Sequence, residues 1–289
     1  MFERVILPLD GSKTGEMVLP YAYEIAAKAG KEIVLAGVCE DDTDKYRIYV
    51  SYLSSLSEEI MSSLQSYGIK EKLLVKSEIL KGNPADEIIR YAQENTNNLL
   101  VMSSHGYTDV QPPFIGNVVN KVLSKIYNPV VLIKKPVDSK VYERGNLIKR
   151  MLVPLDGSGL GEGIIPYAAR MAESMNADIS LFNAMYPWGL GLGEVGPTYE
   201  EEEARKAKVI SYLDKVGEDF RNRGINTDCV AITGFAGQEI VAYADGKNAD
   251  LIAMTTHGRT GLLRYVFGSV AYKVIHSGDT PVLLVRSKS

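Results

Sequence analysis

With 289 residues, the chain is long enough for one large domain or for two domains of ordinary size. Its hydrophobic share of 45% and charged share of 24% are typical of a globular protein. The net charge of −4 argues against a broadly basic surface for nucleic acid or an anionic membrane. No apolar run reaches the roughly 20 residues that a membrane-spanning helix needs.

Two further features of the sequence bear on the location of the protein in the cell. The N-terminal residues run straight into an apolar strand, so no signal peptide is expected. The two cysteines, Cys39 and Cys229, do not suggest a disulfide framework. We therefore expect a reduced, cytoplasmic protein that has no nucleic-acid partner and no membrane partner.

The first half of the chain alternates apolar runs with helical patterns. Val5–Leu9 reads as a strand, and Ser12 can cap a helix that Gly30 ends. The elements that follow are strands at Ile33–Val38, Leu73–Leu80, Leu99–Met102 and Val130–Lys134, and helices at about 45–67, 85–95 and 117–127. This alternation predicts a parallel sheet that is covered by helices on both faces. In such a sheet, ligands bind at the carboxyl ends of the strands.

The second half repeats the first. Arg4–Ser12 recurs as Arg150–Ser158, and Pro20–Ala22 recurs as Pro166–Ala168. The second set of predicted strands is Met151–Leu155, Ile179–Met185, Thr227–Thr233, Leu251–Met254 and Val282–Arg286. We predict two domains, residues 1–138 and 147–289, joined by a polar linker.

The second half also carries an insertion, Pro187–Pro197, before a helix that begins near Tyr199. Its Gly191-x-Gly193-x-x-Gly196 has the letters of a dinucleotide-binding fingerprint. It follows the second strand of its half rather than the first, and a proline comes directly after it. We interpret the insertion as a surface loop.

A glycine segment follows the strand Leu251–Met254. It contains Gly258, then Arg259, and after nine intervening residues Gly268-Ser269, where a helical pattern starts. Glycines let backbone N–H groups approach an anion closely, and a helix N-terminus adds unpaired donors. The segment predicts a phosphate cradle.

The first half has a weaker version of this segment. Gly106 and Gly116 keep the spacing, but Tyr107 and Asp109 stand where the second half has Arg259 and Gly261. Pro112-Pro113 removes two N–H donors, and an aspartate repels phosphate. We therefore expect the second half to bind a nucleotide better than the first.

These residues resemble the universal stress protein family, over nearly the whole chain and as a tandem pair. The family is known for a glycine, two residues, a second glycine, nine residues and then Gly-Ser or Gly-Thr, a loop with which its nucleotide-binding members hold ATP. Here Thr255 and Ser103 replace the first glycine, and Asn117 replaces the serine in the first half. The resemblance implies an α/β protein of two Rossmann-like domains, each a five-stranded parallel sheet with helices on both faces.

The resemblance also implies two sets of ligand-binding residues. The stronger set, in the second half, is Pro154, Asp156, Ser158, Ala184, Gly234, Met254, Thr255, His257, Gly258, Arg259, Gly268, Ser269 and Val270. The weaker set, in the first half, is Pro8, Asp10, Ser12, Val38, Met102, Ser103, Gly106, Gly116 and Asn117. The implied ligand is ATP, or AMP or ADP, with Mg²⁺ or Mn²⁺ as a candidate ion.

Some of these residues have a second interpretation. The resemblance brings Asp10 and Asp156 near the ribose or a phosphate-bound metal, but both also fit a turn hydrogen-bonded to its own backbone. Val38 and Ala184 are either backbone contacts to adenine or ordinary core residues.

No catalytic residue is predicted. His105 and His257 have no acid or nucleophile at a defined spacing, so we interpret them as turn-packing or phosphate-side residues. The expected function is sensing or regulation of a stress response through nucleotide binding. The alternatives are a scaffold that binds a partner protein without nucleotide and, lower in rank, a slow ATPase. We also expect the two fifth strands to pair within the chain, and a homodimer is open.

Overall fold

The computed structural model describes residues 2–40, 43–66, 73–106, 115–137, 146–188, 196–257 and 267–286. Contacts divide the chain into two compact units. Unit 1 comprises Met1–Leu147 together with Pro281–Arg286, and unit 2 comprises Ile148–Thr280 together with Ser287–Ser289. The predicted domain limits, 1–138 and 147–289, remain a proposal.

The first repeat contains five strands and five helices within the described residues. Its strands are β1 (Val5–Pro8), β2 (Glu32–Cys39), β3 (Leu74–Lys81), β4 (Leu99–Ser103) and β5 (Val130–Ile133). Its helices are α1 (Lys13–Glu16), α2 (Leu19–Ala29), α3 (Thr43–Ser66), α4 (Pro84–Ala92) and α5 (Asn117–Lys125).

The second repeat has the same order of elements. Its strands are β6 (Arg150–Pro154), β7 (Asp178–Met185), β8 (Thr227–Thr233), β9 (Leu251–Thr255) and β10 (Val282–Val285). Its helices are α6 (Gly159–Glu162), α7 (Ile165–Met175), α8 (Tyr199–Asn222), α9 (Ala236–Gly246) and α10 (Ser269–Ile275). All ten predicted strands are present, and their limits differ from the predicted ones by one residue or none.

Each unit is built around a mostly parallel sheet, as the sequence predicted. In unit 1 the strand order is β3-β2-β1-β4-β5-β10, and β10 is the antiparallel member. In unit 2 the order is β8-β7-β6-β9, with all described pairs parallel. After β1 the chain adds β2 and β3 on one side of β1, and then returns to place β4 on the other side. After β6 it adds β7 and β8 on one side, and then places β9 on the other. The strand order therefore reverses beside β1 and beside β6, which is where such folds bind ligands.

The central strands are apolar because both of their faces are covered. Every residue of β4, β5, β9 and β10 is buried. The helices bury one face each: in α2, Ala22, Ile25 and Ala29 are each at most 2% exposed. Burial of this apolar surface is the main favourable contribution to folding.

The first predicted helix is wrong in one respect, because the structure has two separate helices in its place. Ser12 does cap a helix, with its Oγ accepting a hydrogen bond from Gly15 N–H at 2.9 Å, but that helix is the four-residue α1. A separate helix, α2, begins at Leu19 with Pro20 in its first turn. Proline has no N–H to donate to the preceding turn, so the chain restarts the helix there.

Among the described residues, no helix combines the length and the apolar character needed to cross a bilayer.

Candidate functional site

Each unit has a cavity at the carboxyl ends of its central strands, where the strand order reverses. The cavity of unit 1 has a volume of about 380 Å³. It is lined by Pro8, Leu9, Asp10, Gly15, Ala36, Val38, Tyr49, Pro84, Ile88, Met102, Ser103, His105, Gly106, Gly116, Asn117, Val118 and Val119. The cavity of unit 2 has a volume of about 220 Å³. It is lined by Pro154, Leu155, Asp156, Gly161, Phe182, Asn183, Ala184, Ala236, Ile240, Met254, Thr255, Thr256, Gly268, Ser269, Val270 and Ala271.

The aspartate after β6 both forms a turn and lines the cavity. Asp156 Oδ1 accepts hydrogen bonds from the backbone N–H of Ser158 at 3.0 Å and from its hydroxyl at 2.6 Å. Gly157 has φ of +77°, which a residue with a side chain adopts at a cost. The two interpretations of this aspartate are therefore compatible, because the turn holds the carboxylate at the cavity wall.

The first repeat forms the same turn. Asp10 Oδ1 accepts from Ser12 N–H at 3.0 Å and from Ser12 Oγ at 2.5 Å, and Gly11 has φ of +80°. The other carboxylate oxygen of Asp10 leaves no room for a side chain at Gly106, since a β-carbon there would lie 2.5 Å from Oδ2. The local sequence Asp-Gly-Ser thus fixes a carboxylate at the same point of both repeats.

Two strands run on past their neighbours and present peptide groups to the cavities. Leu9 N–H donates to Ala36 O at 2.9 Å, and this is the last backbone bond between the β1 segment and β2 among the described residues. Because alternate residues of a strand direct their backbone groups to the same side, the peptide groups of Val38 face the side that β1 has left. Cys39 O accepts from Gly82 N–H on the opposite side of β2, which agrees with this alternation.

The second repeat has the same arrangement. Leu155 N–H donates to Phe182 O at 2.8 Å, and Met185 O accepts from Gly234 N–H at 2.9 Å on the other side of β7. The peptide groups of Ala184 therefore face the cavity side. A backbone N–H and C=O in this position can read the edge of a planar heterocycle without any side chain.

The residues that replace the first family glycine turn their hydroxyls back onto the loop. Thr255 Oγ1 donates to His257 O at 2.7 Å, and Ser103 Oγ donates to His105 O at 2.6 Å. Thr255 is 6% exposed. The side chain therefore braces the turn.

The histidines pack against neighbouring hydroxyls. His257 Nδ1 lies 3.0 Å from Thr256 Oγ1, and His105 Nδ1 lies 2.8 Å from Ser104 Oγ. These short contacts fit the turn-packing interpretation of the two histidines.

Gly268 precedes α10 and lines the cavity of unit 2. Its N–H donates to Thr256 O at 2.8 Å, and its φ of −65° suits any residue. A β-carbon added there would lie 3.4 Å from Thr256 O and 3.7 Å from His257 Cα, which are ordinary contact distances. Its counterpart Gly116 has φ of −57° and similar room. The protein's own packing thus does not demand glycine at either position, whereas a close ligand would.

Most of the predicted site residues lie together. In the second repeat, the cavity is lined by eight of them: Pro154, Asp156, Ala184, Met254, Thr255, Gly268, Ser269 and Val270. Ser158, Gly234 and His257 are outside the lining and hold the turns beside it. Gly258 and Arg259 lie outside the described residues. In the first repeat, every predicted residue except Ser12 lines the cavity.

Sequence reasoning missed the walls that come from α3, α4 and α9. These include Tyr49 from α3, Ile88 from α4 and Ile240 from α9. Gly82-Asn83-Pro84, the start of α4 after β3, was the available signal, because helices that follow strands begin at the same edge of the sheet. Tyr49 carried no such signal, since a tyrosine inside a long helix is usually core.

Burial and the charge of Asp10 both act on a tyrosine in the unit 1 cavity. Burial raises the pKa of Tyr49, and the negative charges of Asp10 and Cys39 add to the effect. The Tyr49 hydroxyl is therefore neutral and able to donate a hydrogen bond.

The described residues supply only some of the ligands that a divalent ion needs. Among the described residues, no three His, Cys, Asp or Glu side chains form a group that would hold a metal ion. The described lining of each cavity contains one carboxylate, Asp10 in unit 1 and Asp156 in unit 2. That donor set fits Mg²⁺, which takes one or two carboxylates together with water and phosphate oxygens, and it does not fit an all-protein metal cage.

Comparison with known proteins agrees with this fold. The profile of the universal stress protein family matches residues 1–134 and again residues 147–286. The chain belongs to the universal stress protein family. It is a tandem member, since the family profile matches each half once.

Individual relatives support the assignment. The chain is 30% identical over 165 residues to universal stress protein MJ0531 of Methanocaldococcus jannaschii, covering 57% of this chain and 97% of that protein. It is 22% identical to universal stress protein Slr1230 of Synechocystis sp., covering 98% of this chain and all of that protein. The crystal structure of a universal stress protein from Archaeoglobus fulgidus superposes with a TM-score of 0.68 at 21% identity, over 99% of this chain and 97% of that one, which shows a shared fold.

Proposed function

We propose that this universal stress protein binds an adenine nucleotide, chiefly in its second repeat, and acts as a sensor or regulator in a stress response. The observation that carries the proposal is the cavity at the ends of β6 and β9. It joins a peptide edge at Ala184, a carboxylate at Asp156 and the Gly268-Ser269 helix start. These are the groups that a base, a ribose and a phosphate need, in that order along the crevice.

The preference for the second repeat rests on charge. Cavity volume alone favours the first repeat, at about 380 Å³ against about 220 Å³. In the sequence, however, the nine residues after Gly258 contain Arg259 and Arg264 and no acid. The nine residues after Gly106 contain Asp109 and no lysine or arginine. A polyphosphate is attracted by the first arrangement and repelled by the second.

The proposed ligand is ATP, with ADP or AMP as weaker forms and Mg²⁺ or Mn²⁺ as the accompanying ion. Asp156 would contact the ribose or the ion, and the Ser269 hydroxyl would hydrogen-bond a phosphate oxygen. Turnover is not part of the proposal, since the described cavity offers no acid–base pair. A cytoplasmic location is part of it, as the composition suggested.

Calorimetric titration with ATP and Mg²⁺ tests the proposal with a matched pair of variants. Gly268→Asp adds a negative charge beside the cavity of the second repeat, and Gly116→Asp adds it at the equivalent place in the first. We expect Gly268→Asp to weaken ATP binding by a hundredfold or more, and Gly116→Asp to change it by less than about threefold. Equal loss in both variants would overturn the assignment to the second repeat.

Trp188 gives a second readout of the same site. It is the only tryptophan of the chain and follows β7 by three residues, with the guanidinium of Arg205 5.0 Å from its ring centroid. We expect ATP to change its fluorescence. A protein that gives no heat, no fluorescence change and no thermal shift with ATP, ADP or AMP would instead favour the scaffold alternative. Sustained release of phosphate over many turnovers would favour the hydrolase alternative.

The strand pairing at the edge of unit 1 also bears on the association of the two repeats. In unit 1, Val282, Leu283 and Leu284 of β10 lie opposite Leu132, Val131 and Val130 of β5. This antiparallel ladder supports the proposal that the fifth strands of the two repeats pair within one chain. Pairing covers an apolar strand edge that would otherwise invite association with a second molecule. A homodimer remains an alternative for sedimentation analysis to test.

A further inference from the structure

The wall of the unit 1 cavity contains an aromatic side chain that packs directly on a strand. Tyr49 of α3 lies over Gly37 of β2, and a β-carbon added at Gly37 would be 2.7 Å from Tyr49 Cδ1. Only glycine therefore leaves space for the ring in this position. Gly37 directly precedes Val38, whose peptide groups face the cavity.

The second repeat lacks this pair. Its equivalent of Gly37 is Asn183, whose Nδ2 donates to Leu155 O at 2.6 Å and which lines the cavity itself. The equivalent of Tyr49 is Val209, which is not part of the described lining. The first repeat thus has a tyrosine packed on a glycine, and the second repeat has a valine and an asparagine at the equivalent positions.

Equivalent positions in the long helices α3 and α8 are identified by a hydrogen bond that both repeats form. Tyr52 OH donates to Glu16 Oε1 at 3.0 Å in the first repeat, and Tyr212 OH donates to Glu162 Oε1 at 2.9 Å in the second. Three residues before these tyrosines stand Tyr49 and Val209. The exchange is therefore a true difference between equivalent positions.

One lining residue of the unit 1 cavity has a ring nitrogen without a hydrogen-bond partner among the described residues. His105 lines the cavity, and its Nε2 is buried without a hydrogen-bond partner among the described residues. Its Nδ1 lies 2.8 Å from Ser104 Oγ. Whichever ring nitrogen carries the proton, a ligand hydroxyl can satisfy Nε2, because a hydroxyl both donates and accepts.

Charge decides what kind of hydroxyl ligand fits. The described lining carries the Asp10 carboxylate and contains no lysine or arginine. The Tyr49 phenol is neutral beside that carboxylate. The described lining offers a phosphate a like charge and no cationic side chain, whereas sugar hydroxyls can donate to the carboxylate. The glycine segment of the first repeat, which contains Asp109 and no lysine or arginine, also disfavours a phosphate.

We propose that the first repeat binds an uncharged nucleoside of the adenosine class, and not a nucleotide. The heterocycle lies between the Val38 peptide groups and the Tyr49 ring, and the sugar hydroxyls reach Asp10 and His105 Nε2. The proposal rests on the proposed function, because it gives the second cavity of a nucleotide sensor its own ligand. One chain would then report the phosphorylated and the unphosphorylated form of the same compound at two separate sites.

The first experiment titrates adenosine into the full chain already saturated with ATP and Mg²⁺. We expect one equivalent of adenosine to bind without displacing ATP and without changing the fluorescence of Trp188. AMP is expected to bind this second site at least tenfold more weakly than adenosine does. Adenosine that fails to bind, or that ATP displaces, overturns this inference. Adenosine binding with no ATP binding overturns the proposed function instead and leaves this inference standing.

The second experiment replaces two wall residues of the unit 1 cavity with their counterparts from the second repeat. The double variant Gly37→Asn with Tyr49→Val gives the first repeat the residues of the second, and we expect adenosine binding to weaken at least tenfold while ATP binding stays within twofold. Tyr46→Val, on the same helix and 41% exposed, is the control and should change neither affinity. If thermal unfolding shows the double variant to be unfolded, Tyr49→Leu replaces it, since leucine keeps an apolar contact with Gly37. Unchanged adenosine affinity in a folded variant overturns the role of Tyr49.

Discussion

At the scale of single residues, the carboxylates of Asp10 and Asp156 are held by their own sequence neighbours. In each repeat a serine two residues later donates twice to Oδ1, and that serine's Oγ accepts from the N–H of a glycine three residues further on. The glycine is needed for space: a β-carbon at Gly161 would lie 2.6 Å from Asp156 Oδ1. The Asp-Gly-Ser-x-x-Gly sequence therefore fixes the aspartate carboxylate at the wall of each cavity.

This crowding gives a prediction with a control in the same short helix. Gly161→Ala should push the Asp156 carboxylate aside, lowering the free energy of unfolding by about 1–3 kcal/mol because of overpacking, and weakening ATP binding. Gly159→Ala meets no atom within 4 Å, so it should leave stability unchanged or raise it by up to about 1 kcal/mol. Urea unfolding of both variants measures the difference. Similar stability of the two variants would mean that the carboxylate moves without cost.

At the scale of elements, the long helix α8 begins with polar contacts that tie its first turn to the end of β8. Thr198 and Glu201 form a capping box at its first turn. In the same turn, Glu202 accepts a hydrogen bond from Thr233 at the end of β8. Glu202 also lies 3.8 Å from Arg205, whose guanidinium stacks on the ring of Trp188. The start of α8 thus connects the strand ends of the second repeat with the segment that carries the insertion.

The capping box predicts a pH-dependent contribution to stability. Hydrogen bonds from the Thr198 backbone N–H and hydroxyl hold the pKa of Glu201 below its usual value of 4.5. A carboxyl with a lowered folded-state pKa stabilises the protein above its usual pKa, and this stabilisation is lost as pH falls through the folded-state value. Thr198→Ala should cost about 1 kcal/mol at pH 7, and the part that involves Glu201 should vanish in acid.

Chemical unfolding of Glu201→Gln at pH 7 and at pH 3 separates the two contributions. The variant should be less stable than the unsubstituted protein at pH 7 and nearly equal to it at pH 3. Glu203→Gln, two residues after Glu201 and outside the capping box, is the control and should show a smaller pH-dependent difference. A Glu201→Gln difference that is the same at both pH values would exclude the capping carboxylate as its source.

Elements were more predictable than cavity walls. Apolar runs such as Leu251–Met254 mark buried strands because both faces of the sheet are covered, and the repeat of Arg4–Ser12 confirmed the order of elements independently. The break between α1 and α2 was missed although Pro20 signalled it. Tyr49 was missed for a different reason: its place at the cavity depends on the absence of a side chain at Gly37, a contact between elements that periodicity does not encode.

At the scale of the whole molecule, the chain end contributes to the first compact unit. β10, the last strand in sequence, counts with unit 1 and covers the edge of β5. Leu132 and Leu283 are both fully buried, and they lie at neighbouring positions of this ladder. The stability of a strand in the first half therefore depends on residues about 150 positions later, a link that the order of elements alone did not reveal.

Two truncations test this dependence. A chain that ends at Thr280 lacks β10, so the backbone groups of β5 that the ladder covers become an open edge. Amide hydrogen exchange in Val130–Ile133 should then accelerate at least tenfold, since exchange follows the free energy of local opening. A chain that ends at Arg286 keeps β10 and should exchange like the full protein. Unchanged protection of β5 after the longer truncation would show that β10 adds nothing to the stability of unit 1, and with that result the ladder would lose its role as support for pairing of the fifth strands.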